Sequence, residues 1–160
     1  MKQIPLSQGL FSLVDDSDYD FLMQWKWCAA RSGKRIYAVR NETVSRKKRQ
    51  RVYMHRQIIG VTDPKIQVDH REGIGLDNQR KNIRQCVHQE NVMNQGVSSS
   101  NKSGFKGVCM ENGSKKWRAA IKKDGKRIHL GLFSDKIEAA KAYNDAAQKY
   151  HGEFAYLNLI

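Results

Sequence analysis

The adjacent residues Asp69 and His70 are the pair in this sequence whose types best suit metal-assisted hydrolysis. They end the β-prone stretch Ile66-Gln67-Val68-Asp69-His70, and neighbours on a strand leave opposite faces of a sheet. One side chain can therefore hold a cation while the other acts on a water. An imidazole, with an ordinary pKa of about 6.5, can accept a proton near neutral pH, and a carboxylate is a hard oxygen ligand suited to Mg²⁺ or Mn²⁺.

Two asparagines further along can complete such a site. Asn82 opens the next β-prone stretch, where its amide can hydrogen-bond the imidazole of His70 and fix its tautomer. Asn91 lies in a polar stretch that we interpret as a helix, and its carbonyl oxygen can be a second metal ligand. Taken one at a time, an Asp-His pair or an Asn more often has a purely structural role, so the spacing of all four carries the hypothesis.

The elements that must position these residues are a strand at 66–70, an irregular loop, a strand at 82–87 and a helix from about 88 to 94. In the loop, Gly73, Gly75 and Asp77 provide turn chemistry. We expect Ile74 and Leu76 to fold inward between them as a small core.

The same region resembles the HNH endonuclease motif in the form found in phage and intron homing enzymes. The matching segments are Val68-Asp69-His70, Leu76-Asp77-Asn78, Lys81-Asn82-Ile83-Arg84 and Gln89-Glu90-Asn91. The resemblance implies a ββα-metal fold in which His70 is the general base, Asn82 orients it, and Asp69 and Asn91 bind the metal. Asn rather than His at the third position favours Mg²⁺ or Mn²⁺ over zinc. His55, Arg56 and His88 are candidate phosphate contacts, with helix packing as the alternative for the first two.

The segment before this motif, residues 1–65, is predicted to form a small antiparallel sheet. Its β-prone stretches lie at 10–14, 24–28 and 35–40, and a short helix at 54–59 should end at Gly60. The basic run from Ser45 to Arg51 suits a hairpin loop, which is either solvated or in contact with phosphate.

The last part of the chain, residues 103–160, is predicted to be a three-stranded meander followed by one helix. The strands lie near 106–110, 116–122 and 127–130, with hairpin turns at Asn112-Gly113 and Asp124-Gly125. The helix should begin with Ser134 as its N-cap and end at Gly152. Alternation places an apolar sheet face against the helix and a basic face outward; that face is either merely solvated or enters the major groove of DNA.

This part is similar to the Apetala-two/ethylene-response-factor DNA-binding domain. The similarity rests on Ser103-Gly104-Phe105-Lys106-Gly107-Val108, Lys116-Trp117-Arg118-Ala119, Leu130-Gly131-Leu132-Phe133, Ala139-Ala140-Lys141-Ala142-Tyr143 and His151-Gly152-Glu153-Phe154-Ala155. It implies DNA-facing positions at Lys106, Arg118, Lys122, Arg127 and His129. Several of these differ from the residues of the plant proteins, so the resemblance does not transfer a DNA sequence preference.

The charge of the chain indicates a polyanionic partner. Its 160 residues carry a formal net charge of +13, and neutralising phosphates with Lys and Arg releases counterions. Residues 1–65 hold 13 basic and 6 acidic residues, residues 66–100 hold 4 of each, and residues 101–160 hold 12 and 6. We therefore expect duplex DNA as the partner, contacted mainly by the two basic parts.

Composition also narrows the setting. The sequence shows neither a secretory signal nor a run of about 20 apolar residues that would span a bilayer, so we expect a soluble, cytoplasmic protein with no membrane partner and no small-molecule cofactor; by the resemblance, the cytoplasm is that of a phage-infected bacterium. The three cysteines, Cys28, Cys86 and Cys109, form no Cys-x-x-Cys pair. We expect them to be reduced and buried.

Together these observations predict an α+β protein in four parts: an N-terminal β-rich segment (1–65), a ββα-metal nuclease module (66–95), a linker (96–102) and a DNA-binding domain of three antiparallel strands packed on one helix (103–160). The leading hypothesis is a metal-dependent DNA endonuclease of the homing type. The alternatives are a non-catalytic DNA-binding regulator with a degenerate nuclease module and, less favoured, an RNA-binding protein, since no stacking platform is apparent.

Overall fold

The computed structural model describes residues 1–33, 35–46 and 48–160. These residues form two compact units, Met1–His88 and Gln89–Ile160. Their elements are small antiparallel sheets and four helices, which confirms the mixed α and β composition predicted from the sequence. Across the described ranges, none of the helices has the length and apolar character needed to cross a membrane.

The first unit contains three separate sheets. β1 pairs with β2, β4 lies between β3 and β5, and β6 pairs with β7, all antiparallel. The strands are β1 (Lys2–Pro5), β2 (Phe11–Val14), β3 (Cys28–Ser32), β4 (Arg35–Ser45), β5 (Lys48–Tyr53), β6 (Gln67–His70) and β7 (Ile83–Cys86); the helices are α1 (Asp16–Leu22) and α2 (Met54–Ile58). Helix α3 (His88–Asn94) begins at the last residue of this unit.

One hydrophobic core joins the N-terminal sheets to the central strands. Ile4, Val14, Leu22 and Met54 are almost completely buried, and Ile83 of β7 packs in the same cluster. Leu76 packs against this core as predicted, whereas Ile74 is 54% exposed, so the prediction that both fold inward is wrong for Ile74. Leu76 is held at the core because its carbonyl accepts from the Leu13 N–H at 2.9 Å, next to the bridge between Leu13 and Asp77.

Several N-terminal elements differ from the predictions. β1 and α1 were not predicted from the sequence, although Asp16 and Asp18 place acidic groups in the first turn of α1, where they favour a helix. Residues 24–28 were predicted as a strand, but the chain turns there because Trp27 is buried and its indole Nε1 donates to the Leu22 carbonyl at 2.8 Å. β3 begins only at Cys28.

The basic run at 45–51 is mostly strand rather than the predicted loop. β4 continues to Ser45 and β5 starts at Lys48, with Arg49 and Arg51 paired across to Thr43 and Asn41. Lys47, which also belongs to the predicted loop, lies outside the described residues. Pairing continues to Ser45 and Lys48, with a register shift after Thr43, so the exposed basic side chains of β5 lie on a sheet.

The second unit has the predicted meander and helix. The strand order is β10, β9, β8, with β8 (Val108–Met110), β9 (Trp117–Lys123) and β10 (Lys126–Phe133) antiparallel and α4 (Lys136–His151) packed on them. The turn Asp124-Gly125 is confirmed, with both residues at positive φ, 48° and 78°. The chain around Asn112-Gly113 is a longer loop instead of a tight hairpin.

The start of α4 is shifted by one residue from the prediction. Asp135, not Ser134, is the N-cap, and its carboxylate accepts hydrogen bonds from the backbone N–H groups of Ile137 and Glu138. A carboxylate also complements the positive end of the helix dipole. The predicted end is confirmed, since Gly152 is the C-cap.

The cysteines are free, but only one of them is buried. Cys86 lies in β7 and is 6% exposed, while Cys28 and Cys109 are exposed. The expectation that all three are buried is therefore wrong for two. Cys28 is the first residue of β3 and Cys109 is the middle residue of β8, and both side chains face solvent.

Candidate functional site

The predicted general base lies at the end of β6 in a buried hydrogen-bond chain. His70 is 1% exposed, and its Nε2 is 3.1 Å from Oδ1 of Asn78. Asn78 Nδ2 donates to Ser12 Oγ at 2.7 Å, and this hydroxyl donates to the Leu76 carbonyl at 3.1 Å. The chain fixes the Asn78 amide so that its oxygen faces the imidazole. In the neutral ring the proton is therefore held on Nε2, and Nδ1 is the basic nitrogen.

Asn82 has a different position from the one predicted for it. Its Nδ2 donates to the Asp77 carbonyl at 2.8 Å, and its Oδ1 accepts from the backbone N–H of Glu72 at 3.0 Å. Both ends of the amide thus tie the two sides of the loop between β6 and β7. The orienting hydrogen bond to His70 that the sequence analysis gave to Asn82 is made by Asn78, while Asn82 holds the loop in shape.

The predicted metal ligand Asp69 points to the other side of β6. It is 2% exposed, and Oδ2 accepts a hydrogen bond at 3.0 Å from the guanidinium of Arg84, its cross-strand partner on β7. Within the described part of the chain, the buried Oδ1 has no hydrogen-bond partner. A buried carboxylate oxygen left unpaired costs free energy, and it is the kind of donor that a hard divalent cation needs.

The loop between β6 and β7 is clamped by the N-terminal segment. Arg80 makes two hydrogen bonds to the buried carboxylate of Asp18, at 2.7 and 2.8 Å, and its backbone N–H donates to Asp15. At the other end, Gly75 lies against β4: a Cβ there would stand 2.4 Å from the Ile36 carbonyl oxygen. The position of Asn78 therefore depends on residues that are distant in sequence.

An aromatic cluster packs against the imidazole of His70. The ring of His55, from α2, lies edge-on at 4.9 Å between centroids, and Tyr37 contacts both histidines at 5.7 and 5.9 Å. Tyr53 lies 5.3 Å from His55. His55 is 7% exposed and its Nδ1 is buried without a hydrogen-bond partner in the described structure. Burial, with the nearby His70 and Arg56, lowers the pKa of His55 to about 3.

The electrostatics also keep His70 neutral. Burial lowers its pKa below the ordinary value, opposed by the hydrogen bond to the Asn78 amide oxygen and by the charge of Asp69, while the charge of Arg35 lowers it further. Arg35 begins β4, and its guanidinium lies beside the turn at Gly73. A neutral imidazole at physiological pH is the protonation state that a general base requires.

The low pKa of His55 predicts a dependence of stability on pH. Below pH 6.5 the unfolded chain binds a proton at His55 that the folded chain does not bind until about pH 3, so stability falls as pH falls through this window. Each pH unit costs about 1.4 kcal/mol for one such group. Urea unfolding at pH 7 and pH 5 should show a smaller loss for His55→Phe than for the wild type. An equal loss in both proteins would contradict the burial of a neutral imidazole.

The remaining nuclease-side candidates have structural contacts. The Arg56 guanidinium donates to the carbonyls of Ile66 and Asp63 at 2.7 and 2.6 Å, which fixes the chain entering β6. His88 Nδ1 lies 3.2 Å from the side chain of Gln67. Asn91 lies on α3 in the second unit, and its pairing with Asp69 stays a prediction. In the described ranges, no cluster of three or more His, Cys, Asp or Glu residues could hold a metal ion.

Four of the five predicted DNA-facing residues share the outer face of the C-terminal sheet. Lys122 is directly opposite Arg127, Ala120 is opposite His129, and Arg118 follows two positions before Ala120 on β9. Lys122, Arg127 and His129 are exposed, whereas Arg118 is half-buried and paired with Glu111 at 3.3 Å. The opposite sheet face packs on α4 through Ala119 and Ile121.

Lys106 does not belong to this face. Its ammonium Nζ lies 2.6 Å from the Met93 carbonyl and 2.5 Å from the Gln95 carbonyl, at the end of α3. The Tyr156 ring centroid is 5.4 Å away, and burial lowers the pKa of Lys106 to about 8. The sequence around Lys106 does not indicate a contact with the end of α3, because that contact exists only once the chain has folded.

Comparison with known proteins finds relatives of this chain in a virus and a phage. It is 28% identical over 158 residues, 96% of this chain and 77% of the relative, to an "Uncharacterized HNH endonuclease" of Acanthamoeba polyphaga mimivirus. It is 30% identical over 88 residues to Protein 3.8 of Escherichia phage T7, covering 55% of this chain and 72% of that protein. The chain belongs to the same family as Protein 3.8. No family model matches it.

A shorter stretch is similar to a plant protein. Over 43 residues the chain is 52% identical to an Ethylene-responsive transcription factor-like protein of Arabidopsis thaliana, which is 27% of this chain and 18% of the relative. The two resemblances found in the sequence are thus matched by relatives, at low identity for the first and over a limited length for the second.

Proposed function

We propose that the protein is a metal-dependent DNA endonuclease of the HNH, homing type, whose second unit binds duplex DNA. The observation that carries the proposal is the pair Asp69 and His70. Both are buried next to each other at the end of β6, one with an unpartnered carboxylate oxygen and the other with its proton held on Nε2 by Asn78.

The residues divide the chemistry between them. His70 Nδ1 would accept a proton from the attacking water, and Asn78 would keep the ring in the tautomer that leaves Nδ1 basic. Asp69, with Asn91, would hold a divalent cation, whose chemistry is to stabilise negative charge on the phosphate and the leaving oxygen. The unpartnered Oδ1 of Asp69 fits this assignment. Mg²⁺ typically uses one or two carboxylates, with waters and substrate phosphates completing its ligands.

DNA affinity would come mainly from the basic parts of the chain. In the first unit, the exposed basic residues of β5 are Lys48, Arg49 and Arg51. In the second unit, the exposed basic face of the sheet carries Lys122, Arg127 and His129. The central residues 66–100 have equal numbers of acidic and basic groups. The names of the viral endonuclease relative and of the transcription-factor-like relative support the same partner.

A cleavage assay tests the proposal directly. We expect supercoiled plasmid to be cut in the presence of Mg²⁺ or Mn²⁺, and cutting to stop when EDTA removes the metal. Asp69→Asn keeps the size of the side chain and should abolish cutting while DNA binding in a gel-shift assay is retained. Cutting that persists in EDTA, or the absence of cutting on a wide set of phage and bacterial DNA, would contradict the proposal.

One observation favours a second candidate, a DNA-binding regulator without catalysis. The guanidinium of Arg84 already neutralises Asp69 at 3.0 Å, which competes with a metal cation for the carboxylate. The same assay separates the two functions. A regulator would bind duplex DNA with no metal-dependent cutting, and Asp69→Asn would leave its behaviour unchanged.

A further inference from the structure

The contacts of Lys106 point to a role beyond DNA recognition. An ammonium group has three N–H donors, and three carbonyl oxygens from the end of α3 surround it: Val92 at 3.5 Å, Met93 at 2.6 Å and Gln95 at 2.5 Å. The Val92 carbonyl also accepts from the Gln95 N–H at 3.3 Å, and carbonyls in the last turn of a helix lack the usual i to i+4 partner. A positive charge at this position also interacts favourably with the negative end of the helix.

The main chain of Lys106 is itself fixed within the second unit. Its N–H donates to Asn158 Oδ1 at 2.7 Å, and its carbonyl accepts from Asn158 Nδ2 at 3.1 Å. Asn144 of α4 holds the backbone of Asn158 in turn, through hydrogen bonds of 2.8 and 2.9 Å. A continuous series of hydrogen bonds therefore runs from α4, through Asn158 and Lys106, to the end of α3.

A helix as short as α3 needs such support. It has seven residues, and isolated helices shorter than about 12 residues are marginal in water. The chain that follows passes against Tyr156, which lies 3.3 Å from the position of a Cβ on Gly96. The end of α3 is thus held by the same unit that carries the basic sheet face.

We propose that Lys106 is a positioning residue for Asn91: by capping α3 it fixes the helix that carries this metal ligand to the DNA-binding unit. The inference rests on the proposed function, in which Asn91 binds the cation. It assigns to Lys106 a role in metal use and removes it from the set of residues that contact DNA. Substitution of Lys106 should then change cleavage through the metal and not through DNA affinity.

The test compares full-length Lys106→Met with Lys122→Met, a matched substitution on the exposed sheet face. For Lys106→Met we expect the Mn²⁺ concentration for half-maximal cleavage to rise about 10- to 100-fold, the usual effect of losing a group that orients a ligand. Its affinity for duplex DNA and the salt dependence of binding should be unchanged. Lys122→Met should keep the metal requirement and lower the slope of binding against salt by about one. Lys106→Arg, which keeps a cation near the carbonyls, should restore most of the metal response.

Hydrogen exchange gives a second measurement that does not require activity. The amides of residues 92–95 should exchange faster in Lys106→Met than in the wild type, whereas those of β9 should not change. Unchanged exchange, or weaker DNA binding with a lower salt slope, would overturn the inference and return Lys106 to the DNA-contacting set. If the wild type fails to cut with any metal, the proposed function fails, and the exchange measurement still decides whether Lys106 caps α3.

Discussion

His70→Ala is expected to lower the rate of metal-dependent plasmid cleavage by about 10²- to 10⁴-fold, the usual contribution of a positioned general base. Duplex DNA affinity should be unchanged, because the residue is 1% exposed. Single-turnover cleavage at saturating Mn²⁺ isolates the chemical step. Cleavage at the wild-type rate would remove His70 from the mechanism.

Two further measurements separate catalysis from folding. His70→Gln keeps an amide nitrogen near Asn78 and much of the buried volume, so it should fold better than His70→Ala while cutting as poorly. Asn78→Leu removes the acceptor that fixes the His70 tautomer, and we expect the cleavage rate to fall by about 10- to 100-fold.

In the wild type, the cleavage rate should fall on the acid side at a pH below 6.5, since burial lowers the pKa of His70. A midpoint of the pH–rate profile above 6.5 would contradict a buried, neutral His70.

The second large effect is expected from Gly107→Ala in the C-terminal unit. A Cβ at this glycine would stand 2.0 Å from the ring of Tyr143 and 2.7 Å from the Ala120 carbonyl oxygen, and the residue has φ of 76°. Overpacking costs about 1–3 kcal/mol, and the left-handed backbone adds about 1–2 kcal/mol for a residue with a side chain. Because α4 packs on the sheet through Tyr143, the second unit should lose much of its stability.

Gly104→Ala is the matched control for this substitution. Gly104 also has positive φ, 82°, but no atom lies within 4 Å of its Cβ position, so this variant suffers only the backbone term of about 1–2 kcal/mol. Hydrogen exchange of the amides of β9 and α4, together with gel-shift binding, should show that Gly107→Ala is clearly the less stable variant. Equal stability of the two variants would mean that Tyr143 does not pack as described.

Elements with strong local patterns were predicted well from the sequence. β6, β7, α2, α3 and the Asp124-Gly125 turn appear where hydrophobic alternation, capping and turn chemistry place them. The site itself was harder to predict because its geometry comes from contacts between distant segments. Ser12 fixes Asn78 from a position far earlier in the chain, and Asp18 fixes Arg80 in the same way. No pattern within the motif could indicate that Asn78 would hold the imidazole in place of Asn82.

The contacts of charged residues were hard to predict for a related reason. Lys106 lies in a strand-like basic stretch that matches a DNA-facing position of the related domain. Its main chain is held by Asn158, and its ammonium group contacts carbonyls at the end of α3. Arg35 was not considered, yet it lies beside the turn that follows His70. The final position of a long cationic side chain depends on which carbonyls or anions the fold brings near it. The sequence alone does not indicate which of these partners the side chain will contact.

The clamp between Arg80 and Asp18 has a consequence for how such proteins can exchange parts during evolution. The residues that hold the loop between β6 and β7, Ser12, Asp15 and Asp18, precede the motif that they support. A recombination event that transferred residues 66–95 alone would carry every letter of the motif and leave its supports behind. Under the proposed function, a cutting unit is therefore inherited intact only if these N-terminal residues move together with the motif through Asn91, and a crossover after the motif leaves those supports in place.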